Sequence, residues 1–183
     1  MADWSFLSDY QTRRELVKKY GFRMFCLIYL PHYFYRPPAA FHPELMAKLS
    51  DHSIKRLLVI GFRGSAKSTL GSVGLPLYMA LEQPDQYPFI IPIADTSQQA
   101  KLNIANIKTE LDSNDILIND YGKINFKKLH DPSPEPTFES EDEWQAQNML
   151  LASGVRIMAR SRGQKVRGLR HREARPSAII IDD

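Results

Sequence analysis

The sequence predicts an α/β fold in which helices flank a mostly parallel sheet. Three apolar runs of strand length, residues 57–60, 89–94 and 178–181, are separated by polar segments and by stretches of helical periodicity. Those helical stretches cover residues 67–82 and 97–111. Strands that alternate with helices are typical of parallel sheets, because a crossover is needed to bring the chain back to the same end. We therefore expect the three runs to be strands of one sheet.

Local signals refine the two helices. Pro76 lies inside the first, where its missing N–H and its ring predict a kink or an end. The segment 95–97 (Asp-Thr-Ser) offers a cap for the second helix. The apolar residues of the second helix recur on one face and predict its buried side: Ala100, Ile104, Ile107 and Leu111. Residues 155–159 are a further candidate strand.

The chain divides by pattern into a helical arm, residues 1–50, and an α/β core, residues 51–183. In the arm, residues 6–20 place apolar and basic side chains on different faces of a helix. Pro43 suits the first turn of a second, short helix. The arm also carries a group of aromatic residues that favours core packing: Tyr29, Tyr33, Phe34 and Tyr35.

The composition excludes several classes of protein. Hydrophobic residues make up 43% and charged residues 25% of the chain, which is ordinary for a globular protein. The single cysteine, Cys26, excludes a disulfide framework and a cysteine metal cluster. The five histidines show no metal-ligand spacing, so we expect no zinc. The longest apolar stretch, Met24–Leu30, is far shorter than the roughly 20 residues of a membrane span. No secretory leader is visible, and an intracellular protein away from membranes is expected.

A glycine-rich segment follows the first predicted strand and opens the first predicted helix. Its sequence, GFRGSAKST, has the setting of a phosphate-binding loop. Small residues let backbone N–H groups turn around a phosphate, and the helix N-terminus adds partial positive charge. Lys67 would reach the β- and γ-phosphates, and the Ser68 hydroxyl would bind Mg²⁺. We therefore predict ATP and Mg²⁺ as cofactors, with these nucleotide-binding residues: Gly61, Phe62, Arg63, Gly64, Ser65, Ala66, Lys67, Ser68 and Thr69.

One position departs from the common phosphate-loop pattern, since Ala66 stands where a second glycine is usual. If the loop needs a positive φ there, alanine costs about 1–2 kcal/mol. The alternative is a glycine-rich turn that binds nothing. If the loop does bind nucleotide, the aromatic residues of the arm have a second interpretation near the adenine, because residues upstream of such loops often form that pocket.

The last apolar run ends in two carboxylates. Parallel sheets bind ligands at the carboxyl ends of their strands, which is where Asp182 and Asp183 would lie. Phosphoryl transfer needs a carboxylate near the metal and another group that orients the attacking water. We assign the metal to Asp182 together with Ser68, and the base to Asp183. The alternative is a strand that ends in a solvated acidic turn.

Together these residues resemble the N-terminal motor ATPase of phage terminase large subunits, over about Phe41 to Asp183. The segment Arg63–Thr69 is similar to the phosphate loop common in terminases, where alanine is less unusual. Further segments resemble the second strand, its helix and the approach to the acidic strand: residues 83–85, 90–94, 97–100, 167–170 and 175–176.

The resemblance implies an ASCE-type P-loop NTPase fold that is incomplete at the C-terminus of this chain. It implies that Arg63 senses the γ-phosphate, that Lys67 and Ser68 bind phosphate and Mg²⁺, and that Asp182 holds the metal. Asp183 or the next residue would be the base. The catalytic set expected from it is therefore Lys67, Arg63 and Asp183.

The resemblance also implies a biological setting. Such a motor packages double-stranded DNA into a procapsid in the host cytoplasm, as a homo-oligomeric ring with a portal and a small terminase subunit as partners. Two alternatives stay open: another P-loop ATPase that remodels nucleic acid, such as a helicase, and an inactive nucleotide-binding fragment. We expect little ATPase activity from the 183 residues alone.

Residues 156–175 contain eight basic side chains with glycines among them. A basic loop suits phosphate groups, on DNA or on ATP in a neighbouring subunit. Arg162 and Arg167 are the candidates for DNA contacts or for a trans-acting arginine. The alternative is a solvated surface that pairs with the acidic segment 131–143.

Overall fold

A computed structural model describes residues 9–34, 37–122 and 144–182 of the chain. The chain divides into two compact units, Met1–Leu75 and Pro76–Asp183, called here the N-terminal and C-terminal units. The first holds the glycine-rich loop and the second holds the sheet.

Two helices form most of the N-terminal unit. Helix α1 spans Tyr10–Tyr29 and is capped by the Asp9 carboxylate, which accepts a hydrogen bond from a backbone N–H of the first turn. Gly21 interrupts α1 with φ 63° and ψ −147°, a conformation that glycine adopts at least cost. A 3₁₀ turn, Pro31–Tyr33, follows, and then helix α2, His42–Leu49, with proline in its first turn as predicted.

The core of the N-terminal unit is made by one face of α1, with contributions from α2. Tyr29 is wholly buried there, which confirms core packing for this member of the aromatic group. Tyr33 and Phe34 are half-buried, and Tyr35 lies outside the described residues. The other buried apolar side chains of α1 and α2 include Val17, Phe22, Phe25, Cys26, Ile28 and Met46.

The strand predicted at residues 57–60 is wrong. This run has no regular structure, and its side chains at Leu58 and Ile60 are 83% and 89% exposed. A strand is held by hydrogen bonds to a neighbouring strand. Within the described part of the chain, no segment pairs with this run. The apolar, β-branched composition was therefore insufficient to form a strand.

The helix after the glycine-rich loop continues past Pro76 instead of ending there. Thr69–Gly74 is π-helical, and helix α3 follows at Leu75–Glu82. The Leu75 N–H donates to the Leu70 carbonyl, five residues back. A proline ring crowds the carbonyl four residues before it and lacks an N–H. The wider π-helical turns accommodate this, so the irregularity precedes Pro76 without stopping the helix.

The C-terminal unit contains a mixed sheet. Its longest strand, β1, spans Phe89–Ala94. The other strands are β2, Trp144–Gln145; β3, Asn148–Leu150; β4, Arg156–Met158; β5, Arg160–Ser161; and β6, Ala178–Asp182. The strands predicted near residues 89–94, 155–159 and 178–181 are thus confirmed.

Strand β1 organises this sheet. It runs parallel to β4 along its first half, to β5 along its second half, and to β6 from Ile90 to Ala94. Strands β2, β3 and β4 pair antiparallel. The α/β class is confirmed, but the sheet is mixed where a mostly parallel one was predicted. The difference arises because the chain returns to β4 through short antiparallel connections, which need no crossover helix.

Helices α4, Ser97–Ser113, and α5, Asp115–Tyr121, complete the C-terminal unit. Thr96 caps α4, and α4 packs against β1 and β5. All four residues predicted for its buried face are at most 2% exposed: Ala100, Ile104, Ile107 and Leu111. Among the described residues, no helix has both the length and the apolar character that a membrane crossing requires.

Candidate functional site

The glycine-rich loop, residues 61–69, adopts a backbone that turns twice through positive φ. Gly64 has φ 84° and Ala66 has φ 57°, and helical structure begins at Lys67. Ala66 therefore occupies the left-handed conformation that the usual glycine would take at no steric cost, and it carries a penalty of about 1–2 kcal/mol. Strain of this kind persists where surrounding contacts hold it, and it clusters at functional sites.

The loop closes on itself so that Gly61, Ser65 and Lys67 are neighbours. A Cβ atom at Gly61 would lie 2.9 Å from Ser65 Oγ and 3.7 Å from Lys67 Cδ. Only glycine tolerates the first of these approaches without displacing the serine. The close packing of Gly61 and Ser65 explains why glycine stands at position 61, whereas a flexible surface turn would not require glycine there.

The Ser65 hydroxyl lies at the inner side of this closed loop. Ser65 is 4% exposed, and its Oγ atom has no hydrogen-bond partner among the described residues. A buried hydroxyl without a partner costs free energy unless a ligand or water satisfies it. A phosphate group offers acceptor oxygens for such a hydroxyl, for the adjacent lysine and for the loop amides. The residues present therefore fit a phosphate.

His42, the first residue of α2, contacts the loop from outside. Its Nε2 atom lies 3.0 Å from the Ser65 carbonyl oxygen, and its Nδ1 atom accepts a hydrogen bond of 2.9 Å from the Ala39 N–H. Sequence reasoning missed this residue. No short-range pattern connects positions 42 and 65, so only the fold reveals the contact.

Aromatic rings extend this contact. The Phe41 ring lies 4.2 Å from the His42 ring and meets Phe62 of the loop edge-on at 5.9 Å, both between ring centroids. Beside them is a cleft of about 360 Å³, a size suited to a small ligand. Its lining includes Phe41, Leu45, Leu58, Ile60, Phe62 and Ser65. The aromatic residues at the loop are thus Phe41 of the neighbouring segment and Phe62 of the loop itself, whereas Tyr29 lies in the core.

The predicted phosphate and metal residues of the loop differ in exposure. Lys67 is half-buried, and Ser68 is exposed in the first helical turn, next to the loop amides. Arg63 is exposed at the outer turn of the loop. Mg²⁺ at a nucleotide keeps water and phosphate oxygens and takes few ligands from protein. Among the described residues, no three His, Cys, Asp or Glu side chains cluster for a metal.

Charged residues gather at the carboxyl edge of the sheet in the C-terminal unit. Asp182, half-buried, ends β6 and is in register with Ala94, the last residue of β1. Ser161, the last residue of β5, is in register with the same Ala94. Asp182, Asp95 and Arg162 are thus presented at one edge, where α/β sheets bind ligands. Asp183, the predicted base, lies outside the described residues.

Both candidate arginines of the basic segment are exposed. Arg162 Nη1 lies 3.4 Å from Asp95 Oδ1, in a pair whose side chains are 82% and 53% exposed. Such an exposed pair is weak, at about 0–1 kcal/mol, so it leaves Arg162 available to another anion. Arg167 is also exposed, next to Gly168 with φ 87°. The acidic segment 131–143, the alternative partner, lies outside the described residues.

One buried histidine fixes the base of the basic segment. His171 is 7% exposed, its Nε2 atom lies 2.9 Å from the Gly154 carbonyl oxygen, and its ring meets Phe89 at 6.1 Å. The exposed arginines therefore extend from an anchored loop.

The glycine-rich loop and Asp182 belong to different compact units of the chain. Compared with protein-family models, with curated proteins and with solved structures, the chain matches none.

Proposed function

We propose that this chain is the ATP-binding part of a motor ATPase that translocates double-stranded DNA, of the type found in phage terminase large subunits. The observation that carries the proposal is the loop at residues 61–69, with positive φ at Gly64 and Ala66 and a helix that starts at Lys67. The buried Ser65 hydroxyl, which has no hydrogen-bond partner among the described residues, adds a site for a phosphate oxygen. A P-loop NTPase core of the ASCE type is the corresponding proposal for the fold.

The loop residues would have different roles in binding the nucleotide and its metal ion. Backbone N–H groups and the α-helical start hold the phosphates, and Lys67 neutralises the charge of the β- and γ-phosphates. Ser68 would bind Mg²⁺, Asp182 is the carboxylate predicted for the metal, and the exposed Arg63 would contact the γ-phosphate. Mg²⁺-ATP, when bound, supplies the phosphoanhydride bond whose hydrolysis drives translocation. Asp183 would orient the attacking water.

The basic segment supports a nucleic-acid partner. Arg162 and Arg167 are exposed on a loop that His171 anchors to Gly154. Exposed arginines bind backbone phosphates, and this binding weakens steeply as salt rises. The same arginines would serve in a ring by reaching ATP in a neighbouring subunit. A portal and a small terminase subunit would be further partners of such a ring in the host cytoplasm.

A second candidate, a nucleotide-binding fragment with little turnover, describes the 183 residues taken alone. The exposure of Leu58, Ile60 and Ile181, at 83%, 89% and 74%, favours it. Apolar side chains of this size are ordinarily covered in an active α/β core. A helicase-like ATPase uses the same loop and is distinguished by the nucleic-acid substrate that stimulates turnover.

The test is equilibrium binding of Mg²⁺-ATP to the chain, measured by titration calorimetry. We expect Lys67→Ala to abolish measurable binding, because the β- and γ-phosphates lose their cation, while the circular-dichroism spectrum is unchanged. Lys101→Ala, on an exposed turn of α4, is the matched control and should bind like the wild type. Equal binding by Lys67→Ala and wild type would contradict the assignment.

A further inference from the structure

We propose that His42 is a positioning residue of the phosphate loop, which holds the peptide between Ser65 and Ala66 so that the Ala66 N–H faces the bound phosphate. The inference rests on the proposed nucleotide function. It assigns a role to a residue outside the glycine-rich motif, 23 positions upstream of the peptide that it contacts.

The tautomer of His42 follows from its two hydrogen bonds. The Ala39 N–H donates to Nδ1, so Nδ1 carries a lone pair and no proton. The proton of the neutral ring is then on Nε2, 3.0 Å from the Ser65 carbonyl oxygen, and Nε2 is the donor in that contact. A hydrogen bond from the segment just before α2 thereby orients the ring so that Nε2 faces the loop.

The planar peptide between Ser65 and Ala66 links the orientation of the Ser65 carbonyl to that of the Ala66 N–H. In a trans peptide the C=O and the N–H point in opposite directions, and the chain has no cis peptide in the described residues. When Nε2 holds the Ser65 carbonyl on the side of α2, the Ala66 N–H must point away from α2. A loop that wraps a phosphate needs N–H donors on its concave side, and we infer that the Ala66 N–H is one of them.

The same hydrogen bond from His42 helps to hold Ala66 in its strained conformation with positive φ. Alanine resists φ 57°, and without support the loop would relax toward a conformation with negative φ. Rotation of the 65–66 peptide is part of that relaxation, and it would break the hydrogen bond to His42. The edge-on packing of Phe41 against Phe62 keeps the start of α2 beside the loop. Strain held by surrounding contacts in this way is typical of preorganised sites.

Two substitutions separate the roles of the two ring nitrogens. His42→Gln places an amide N–H close to the Nε2 position, whereas His42→Asn keeps an acceptor close to Nδ1 and lacks the reach to Ser65. The probe is Mg²⁺-ATP, and AMP is the comparison ligand because it lacks the β- and γ-phosphates. We expect His42→Asn and His42→Ala to weaken ATP binding by roughly 3- to 10-fold, the effect of one lost hydrogen bond. His42→Gln should stay within about twofold of the wild type.

A rescue variant tests the connection to Ala66. Glycine adopts positive φ without support, so Ala66→Gly combined with His42→Ala should recover most of the lost affinity for ATP. A general structural role would be revealed by an equal loss of AMP and ATP binding, and this would overturn the inference. Wild-type affinity in His42→Asn, or no rescue by glycine, would overturn it as well.

One measurement needs no nucleotide. Nitrogen-15 NMR of the histidine ring in the intact chain at pH 8 should show a proton on Nε2 and none on Nδ1, and the opposite tautomer would overturn the inference. If Lys67→Ala binds Mg²⁺-ATP as the wild type does, the proposed function fails and this role fails with it. If Lys67→Ala loses binding and His42→Asn does not, only the role of His42 fails.

Discussion

The glycine-rich loop of the N-terminal unit and the sheet of the C-terminal unit acquire their structure in different ways. The loop is fixed by contacts among near neighbours, such as the approach of Ser65 Oγ to Gly61, and by contacts from the start of α2, among them that of His42. The sheet is fixed by pairing between strands far apart in the chain, such as β1 with β6. Local chemistry therefore predicts much of the loop conformation, whereas it does not by itself predict a strand.

Two apolar runs show the difference most clearly. Residues 57–60 and 178–181 have similar composition, yet only the second forms a strand. The second run has β1 as a neighbour, with Ile91 opposite Ile179. The first run has no neighbour among the described residues and remains without regular structure. Even in β6, one face stays open, since Ile179 and Ile181 are 51% and 74% exposed. Strand formation follows the partner more than the propensity.

The largest expected effect is on the free energy of unfolding, and it tests this contrast with one substitution in each unit. Ile91 in β1 is fully buried, and Ile91→Ala should lower the free energy of unfolding by about 2–5 kcal/mol through lost burial and a cavity. Ile60 is 89% exposed, and Ile60→Ala should change it by no more than about 0.5 kcal/mol. Urea unfolding followed by circular dichroism measures both. A loss at Ile60 as large as that at Ile91 would show that residues 57–60 are buried.

A smaller effect concerns a lysine that holds α4 to the sheet. The Lys108 Nζ donates to the Gln145 carbonyl oxygen at 2.6 Å, and burial lowers the pKa of Lys108 from 10.5 to about 8, against an opposing effect of Asp112. Between those two pH values the unfolded chain holds a proton that the folded chain has lost. This group's contribution to stability therefore rises with pH over the interval and is constant below it.

The measurement is the free energy of unfolding of wild type and Lys108→Met at pH 7.5 and at pH 9.5. The wild type should gain a few tenths of a kcal/mol or more between the two, and Lys108→Met should lose that gain. Lys101→Met, on the exposed side of the same helix, is the control. A gain in Lys108→Met as large as that of the wild type would contradict the assignment of the pH dependence to this lysine.

Sequence reasoning predicted the parts of the molecule that depend on periodicity and local conformation. It found the buried face of α4, the three strands near residues 89, 156 and 178, and the demand for positive φ at Ala66 as a condition of the loop. Helical spacing and glycine-rich turns are short-range signals, so they can be seen in a single sequence.

The remainder depends on contacts between distant residues. The antiparallel pairs β2–β3 and β3–β4 join segments of two or three residues, which are too short to show a period. The contact of His42 with Ser65 spans 23 positions and involves a side chain with no motif around it. The continuation of the helix beyond Pro76 depends on a π-helical segment. No residue pattern in the sequence predicts the wider turns of that segment.

The central claim, that the backbone of residues 61–69 holds the phosphates of a nucleotide, is tested most directly by amide NMR. The chain is labelled with nitrogen-15 and titrated with Mg²⁺-ATP and, separately, with AMP. We predict that the largest ATP-induced shifts occur at the N–H groups of Gly64, Ala66 and Lys67, and that AMP produces much smaller shifts there. Saturable ATP-induced shifts that fall elsewhere in the chain and spare these amides would contradict the account.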